Sequence, residues 1–123
     1  MLTGAHFLLY STHAEADRAF IRDVLQFRHV DAGDGWLIFA LPPAEIGVHP
    51  SDEPFTQTHA EQPLLGAVLY LMCDDLQAFV RHLEAKHVKC GEVLQAEWGT
   101  ATTFPLPSGG RIGVYQPTHR TAI

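Results

Sequence analysis

Six residues of this 123-residue chain are candidates for a functional site. They are two of its eight histidines, a glutamate and three tyrosines: His6, His49, Glu45, Tyr10, Tyr70 and Tyr115. An imidazole has an ordinary pKa of about 6.5, so His6 or His49 could transfer a proton near neutral pH without a metal. Tyrosine offers an apolar ring with a polar tip, which is typical of small-molecule pockets but also of protein cores. These residue types predict a binding pocket, with acid-base catalysis as a further hypothesis.

Alternation along strands places several of these side chains on one face. Residues two apart on a strand share a face, so Glu45, Gly47 and His49 point the same way if 45–49 is a strand. A glycine inside a strand marks either the close approach of a ligand or a twist in the sheet, and both interpretations of Gly47 stay open. If the faces of the separate strands coincide, the predicted pocket lining consists of His6, Tyr10, His49, Tyr70 and Tyr115.

The first half of the sequence predicts the order β-α-β-β-β. Thr12-His13-Ala14-Glu15 has the S/T-x-x-E form of a capping box, and the apolar residues that follow recur at helical spacing. A helix is therefore expected from Thr12 toward Phe27. The predicted strands around this helix are Ala5 to Tyr10, Arg28 to Asp31, Trp36 to Leu41 and Glu45 to His49.

The second half of the sequence repeats this order after a polar connector. The connector, residues 51–65, contains prolines and suits a sheet interior poorly. After it, Asp74 or Asp75 is expected to cap a helix, whose apolar stripe consists of Leu76, Phe79, Val80 and Leu83. The predicted strands are Ala67 to Met72, Val93 to Trp98, Ala101 to Leu106 and Arg111 to Gln116.

A short phrase closes both halves and indicates a duplicated unit. Ile46-Gly47-Val48-His49-Pro50 is echoed by Ile112-Gly113-Val114-Tyr115-Gln116-Pro117. We therefore predict one α+β domain over residues 1–123, with module one at 4–50 and module two at 66–117. Two such modules must bury their sheets, and the space between them is the expected place for a ligand.

Composition and charge narrow the classes of partner. Hydrophobic residues make up 46% of the chain and charged residues 18%, which is typical of a globular protein. The formal net charge of -6 disfavours a nucleic-acid or anionic-membrane partner and leaves small molecules. The start of the chain has no signal-peptide pattern, so a cytoplasmic location is expected, with Cys73 and Cys90 reduced and packed. Motifs for serine hydrolysis, phosphate binding and zinc proteolysis do not occur.

Two stretches resemble a known superfamily. The run from Phe20 to Phe27 is similar to F-Y-x-D-x-L-G-F, and Trp98-Gly99 with the stretch through Ile112 is similar to W-G…F-x-D-P-x-G-N-x-I. Both patterns are those of the vicinal oxygen chelate superfamily, which includes glyoxalase I, bleomycin-resistance proteins and extradiol dioxygenases. The resemblance extends from about His6 to Pro117 and implies paired β-α-β-β-β modules with curled sheets that form a cup, assembled as a homodimer. The chain departs from the patterns at Ile21, Gln26 and Leu106, which concern packing and turns.

The resemblance also implies metal ligands, and most of them are missing. Metal-dependent members hold a divalent ion with side chains from the first and last strands of each module. His6 aligns with one ligand position, whereas Val68, Gly47 and Gly113 occupy the other three and carry no donor atom. One imidazole is too few for a tight site. We therefore expect no cofactor, and the leading hypothesis is a superfamily member with a degenerate metal site that binds a small organic molecule.

A rearranged metal site is the alternative. His6 and His49 with Glu45 would form a set of two histidines and one carboxylate, which suits Fe, Zn, Ni or Mn. Such a site would support a glyoxalase-type lyase or isomerase, or an extradiol dioxygenase, in which the metal acts as a Lewis acid. The alternative requires His49 to be a metal ligand, and the binding hypothesis does not.

Overall fold

The protein, described over residues 1–123 by a computed structural model, contains two helices and eight strands. The helices are α1 (Ala14–Asp23) and α2 (Leu76–Glu84). The strands are β1 (His29–Asp31), β2 (Leu37–Phe39), β3 (Thr56–His59), β4 (Gln62–Leu65), β5 (Tyr70–Met72), β6 (Leu94–Ala96), β7 (Gly99–Pro105) and β8 (Arg111–Pro117). Strands β1 and β2 form one hairpin, β3 and β4 a second, and the remaining strands form a four-stranded sheet in the order β5-β8-β7-β6. This architecture confirms the predicted α+β class.

Contacts within the chain define two compact units. The first unit consists of Met1–Ala40 and Pro105–Arg111, and the second of Leu41–Phe104 and Ile112–Ile123. Neither helix is long and apolar enough to cross a membrane.

In the first unit, α1 packs against β2 and is tied to a hairpin turn through a buried carboxylate. Asp17 is 5% exposed and accepts hydrogen bonds from the backbone N–H of Ser108 (2.9 Å) and from its hydroxyl (2.6 Å). A buried charge is costly unless it is hydrogen-bonded, and here both carboxylate oxygens are satisfied. The turn at 107–110 is therefore fixed to the middle of α1.

The predicted capping box at Thr12 is wrong. The N-cap of α1 is His13, and its side chain makes no capping hydrogen bond. The Thr12 hydroxyl lies 3.1 Å from Nδ1 of His13, and the Ser11 hydroxyl accepts the backbone N–H of His13 at 3.0 Å. Because these local bonds take up the polar side chains before the helix, the box does not form.

The second unit contains most of the buried apolar side chains, and they lie between α2 and the sheet. Leu83, Phe104 and Val114 are at most 1% exposed, and the rings of Phe79 and Phe104 lie 5.9 Å apart. Burial of a side chain of this size contributes about 1.5–3 kcal/mol. The apolar stripe predicted from the sequence is thus the face that α2 buries.

The start of α2 is capped twice. Oδ1 of Asp75 accepts the backbone N–H of Ala78 at 3.0 Å, which confirms Asp75 as one of the two predicted caps. The side-chain oxygen of Gln116 accepts the backbone N–H of Leu76, also at 3.0 Å. Since the first N–H groups of a helix have no partner inside it, both bonds stabilise α2, and the second ties it to β8.

Two predicted strands are absent. The segments Ala5–Tyr10 and Glu45–His49 have no regular structure. Their alternating sequences suit a strand, but a strand forms only where a neighbouring backbone supplies hydrogen-bond partners, and none pairs with them here. The predicted first strand of module two is also shortened, from 67–72 to β5, because only Tyr70–Met72 pairs with β8.

The predicted connector contains a hairpin. Strands β3 and β4 pair from Thr56↔Leu65 to His59↔Gln62. The turn residues Ala60 and Glu61 have φ of 51° and 64°, the left-handed conformation that two-residue hairpin turns require. The hairpin was not predicted, but all the residues of both strands are exposed, so the segment does not form the interior of a sheet.

Candidate functional site

Four aromatic side chains of the second unit lie together at one end of the four-stranded sheet. We call Tyr70, Trp98, Tyr115 and His119 the aromatic cluster. The ring centroids are 6.2 Å apart for Tyr70 and Trp98, 5.6 Å for Tyr70 and Tyr115, and 5.6 Å for Trp98 and Tyr115. The three ring planes cross at 70°, 84° and 73°. Edge-to-face contacts at these distances are favourable, so the three rings stabilise one another.

A glycine makes room for the first of these rings. Tyr70 opens β5 and lies directly opposite Gly113 in the parallel pairing with β8. A Cβ atom at residue 113 would lie 2.5 Å from Cδ1 and 2.5 Å from Cε1 of Tyr70. No real side chain tolerates such an approach, so Gly113 allows the Tyr70 ring to lie against β8. Gly113, the glycine of the repeated sequence phrase, therefore provides the space that the Tyr70 ring occupies in the cluster.

A second glycine brings β8 against the turn that carries Trp98. A Cβ at Gly99 would clash with the backbone oxygen of Gln116 and would lie 3.1 Å from Cδ2 of Tyr115. The backbone N–H of Thr118 donates to the oxygen of Trp98 at 3.0 Å. The end of β8 and the β6-β7 turn are thus held together, which fixes the contact between Trp98 and Tyr115.

His119 extends the cluster through a hydrogen bond. Its Nε2 lies 3.0 Å from the hydroxyl oxygen of Tyr115, and its Nδ1 lies 2.9 Å from the backbone oxygen of Arg120. A carbonyl only accepts, so Nδ1 carries the proton of the neutral ring and Nε2 accepts the Tyr115 hydroxyl proton. The two rings lie 24° from parallel with centroids 5.9 Å apart.

Glu45 supplies a negative charge near the cluster. Its Oε2 accepts the backbone N–H of Ala122 at 2.6 Å, in the segment that begins with Thr118 and His119. Burial, and then the charge of Glu45, raise the pKa of Tyr115 above its ordinary value of 10.0. The Tyr115 hydroxyl therefore keeps its proton over the physiological range and serves as a donor.

Three rings of the cluster, those of Tyr70, Trp98 and His119, are open to solvent. Tyr70 and Trp98 are each 41% exposed, whereas Tyr115 is half-buried beneath its neighbours. The site thus offers apolar ring faces held in fixed positions, with a hydroxyl, an imidazole and a carboxylate at the margin. Cys73 lies behind it, and burial followed by the charge of Asp74 raises the pKa of its thiol. A raised pKa favours the protonated thiol over the reactive thiolate.

The sequence matches the model of one protein family over residues 4–112, that of the glyoxalase/bleomycin resistance protein/dioxygenase superfamily. The chain belongs to this superfamily. Among curated protein sequences, none matches it.

Solved structures of similar fold agree with this membership. TnmS3, an antibiotic-binding protein from Streptomyces sp. CB03234, has a TM-score of 0.57 and 21% identity, with 96% of this chain and 99% of that chain covered. Lactoylglutathione lyase from Agrobacterium tumefaciens has a TM-score of 0.60 and 19% identity, with 93% and 92% covered. The integron cassette protein VCH_CASS1 from V. cholerae has a TM-score of 0.52 and 20% identity, with 94% and 98% covered. At these identities the likeness shows the fold of the superfamily and nothing of the chemistry.

The resemblance places metal ligands at four positions, and only one of them, His6, has a side-chain donor atom. Val68, Gly47 and Gly113 carry no group that could bind a metal ion, and no three His, Cys, Asp or Glu side chains of the chain form a group that could hold one. The alternative ligand set of His6, His49 and Glu45 does not form such a group either. The side chains of this chain therefore do not fit a divalent metal ion.

The predicted lining residues are divided between the two units. Tyr70 and Tyr115 come together in the second unit, 5.6 Å apart. His49 belongs to that unit as well and is exposed. His6 and Tyr10 belong to the first unit, in the segment that is not a strand, and both are exposed. Their part in a ligand site stays a prediction.

Two members of the cluster were not predicted as ligand-binding residues. Trp98 could be read from the sequence only as rim or core, and His119 only as an ordinary exposed histidine. A signal for His119 does exist, since it follows Tyr115 by four residues just after a strand that ends in proline. A signal for Trp98 is the glycine beside it, since glycine marks a close approach of backbone.

Proposed function

We propose that this protein is a metal-independent member of the superfamily that binds a small planar organic molecule on the aromatic cluster. The observation that carries the proposal is the pair of exposed rings, Tyr70 and Trp98, fixed against Tyr115. Exposed aromatic rings cost hydration free energy, and a ligand that stacks on them removes apolar surface from water.

Rigidity makes this surface suitable for binding. Immobilising a flexible side chain costs about 0.5–1.5 kcal/mol of binding free energy, which weakens sites built from mobile residues. The ring contacts and the two glycines already hold the cluster in place before a ligand arrives. The Tyr115 hydroxyl donates its proton to His119, and its oxygen can still accept a hydrogen bond that orients the bound molecule.

The comparison with TnmS3 supports the same class of function. TnmS3 is an antibiotic-binding protein, so a similar fold serves the binding of an organic molecule there. Binding without turnover also requires no catalytic group, in keeping with the missing donor atoms at Val68, Gly47 and Gly113. The proposal makes the chain a binding protein for small molecules.

We also propose that the working form is a homodimer, as the resemblance implies. Ile46 and Val48 are 92% and 93% exposed, and the apolar residues Phe7, Leu8 and Leu9 lie in a segment without a strand partner. A second copy that paired with these segments would cover them. Sedimentation equilibrium is expected to give twice the chain mass, and a single-chain mass at micromolar concentration would contradict the dimer.

The ligand-binding proposal is tested with a panel of planar fused-ring compounds in equilibrium dialysis. Trp98→Ala is expected to weaken the binding of any compound retained by the wild-type protein by about tenfold or more, because stacking on an indole is lost. Trp36→Ala is the matched control, since Trp36 is also exposed but lies in the first unit. Equal losses in both variants, or none in Trp98→Ala, would overturn the proposal.

A further inference from the structure

The aromatic cluster lies close to a carboxylate that has no counter-ion. Oε2 of Glu45 accepts the Ala122 N–H, and no lysine or arginine forms an ion pair with the side chain. One hydrogen bond leaves most of the lone-pair sites of a carboxylate unused. Glu45 is half-buried, so its charge is screened less by solvent than that of an exposed residue.

Several contacts connect this carboxylate to the rings. The segment 118–123 begins at the backbone of Trp98, bonded to Thr118, and passes through His119, which bonds the Tyr115 hydroxyl. It then reaches Glu45 at Ala122. The charge of Glu45 also contributes to the raised pKa of Tyr115, which places the carboxylate within electrostatic reach of that ring.

Ring faces and a carboxylate favour the same kind of ligand. The face of an aromatic ring carries negative potential, which attracts a cation placed over it. Trp98 and Tyr70 are each 41% exposed, and the chain as a whole has a formal net charge of -6. Arg120, which follows His119 in the sequence, is exposed and makes no ion pair with Glu45, so solvent screens its opposing charge.

We propose that the ligand of the aromatic cluster is an organic cation, a planar molecule with a delocalised or quaternary positive charge, and that Glu45 selects for this charge. The proposal rests on the proposed function, since it concerns the same surface. A cation stacked on Trp98 would gain from the ring faces and from the carboxylate together. A neutral molecule of the same shape would gain from stacking alone.

The test compares two probes of nearly the same shape, 10-methylacridinium, a cation, and 10-methylacridone, which is neutral. Equilibrium dialysis at low ionic strength is expected to show the cation bound about tenfold more tightly by the wild-type protein. Glu45→Gln should remove this preference and leave the affinity for the neutral probe unchanged. Glutamine can still accept the Ala122 N–H, so the fold is retained. Glu84→Gln, at the end of α2, is the matched control and should change neither affinity.

The outcomes separate this inference from the proposed function. Equal binding of both probes through Trp98, or a preference that survives Glu45→Gln, would overturn the cation selectivity and leave the binding function in place. If Trp98→Ala bound both probes as tightly as the wild-type protein, the cation selectivity and the proposed function would both be overturned. The salt dependence of binding gives a second measurement that needs no variant. Added NaCl should weaken the binding of the cation and leave the binding of the neutral probe unchanged.

Discussion

The hydroxyl of Tyr115 donates a hydrogen bond of 3.0 Å to Nε2 of His119, and the two rings lie 24° from parallel. This contact joins the end of the four-stranded sheet to the segment that reaches Glu45. It also explains why the cluster has a polar margin, because Tyr115 contacts Trp98 with its ring and His119 with its hydroxyl. Hydrogen bonds and ring contacts therefore connect all parts of the proposed ligand surface.

Tyr115 is expected to titrate at higher pH than an ordinary tyrosine. Burial first, and then the charge of Glu45, raise its pKa above 10.0. A group whose pKa is higher in the folded state stabilises the fold fully below its unfolded pKa. That contribution is lost as the pH rises through the folded value. Ultraviolet titration of the phenolates should show one late-titrating tyrosine, which Tyr115→Phe removes. An unchanged titration curve in that variant would contradict the environment described for Tyr115.

Gly113→Ala is expected to disturb the Tyr70 ring. The new Cβ would lie 2.5 Å from Cδ1 of Tyr70, so the ring must move, at a cost of about 1–3 kcal/mol in unfolding free energy. Ligand binding on the cluster should weaken as well. Gly47→Ala is the matched control, because it changes the same position of the repeated phrase and its Cβ would meet nothing within 4 Å. Urea unfolding measures both, and equal stability of the two variants would contradict the role of Gly113.

Asp17→Asn is expected to destabilise the protein by about 1–3 kcal/mol, since the buried carboxylate holds Ser108 with both oxygens. Burial opposes ionisation of Asp17, but the hydrogen bonds from Ser108 and Ser11 outweigh it and lower the pKa below 3.8. A lowered pKa stabilises the fold above the unfolded pKa and stops doing so as the pH falls through the folded value.

The control for this carboxylate is Asp23→Asn on the same helix. Asp23 is exposed and pairs only with the neighbouring Arg22, a surface contact of small expected effect. Thermal unfolding at neutral pH should show a clearly lower melting temperature for Asp17→Asn and almost no change for Asp23→Asn. At pH values well below 3.8 the difference in melting temperature between Asp17→Asn and the wild-type protein should become smaller. A difference that persisted there would contradict the role of the charge.

Metal binding is expected to be weak. Because Val68, Gly47 and Gly113 offer no donors, titration with ferrous, zinc, nickel and manganese ions should give no tight equivalent. Elemental analysis of protein purified without an affinity tag provides the measurement. One stoichiometric ion that is lost in His49→Ala would instead favour the alternative with His6, His49 and Glu45, and would reopen an enzymatic function.

The sequence predicted α2 and the closing strands well, for physical reasons that are local. The spacing of Leu76, Phe79 and Leu83 has the period of a helix, and Asp75 is a strong cap, so α2 could be placed correctly. The closing strands β7 and β8 were likewise predicted almost to the residue. Here the local preference and the tertiary packing favour the same structure.

The failures lie where structure depends on a partner strand or on solvent. Alternation in Ala5–Tyr10 and Glu45–His49 says which residues would share a face but not whether another backbone will pair with them. The exposed hairpin at 56–65 was not predicted because polar and apolar residues do not alternate along its strands. The cluster was half predicted, since parity indicated Tyr70 and Tyr115, while Trp98 and His119 reach it through a turn and a coil that follow no period.

The central claim is that the exposed rings of the cluster form the ligand surface, and the indole N–H resonances of the two tryptophans test it most directly. Trp98 lies in the cluster, whereas Trp36 lies in the first unit beneath the guanidinium of Arg18, 4.7 Å from its ring. In 15N-labelled protein titrated with 10-methylacridinium, the Trp98 resonance is expected to shift strongly through ring currents and the Trp36 resonance to stay in place. A saturable shift of Trp36 with Trp98 unmoved, or binding without any shift of Trp98, would contradict the account.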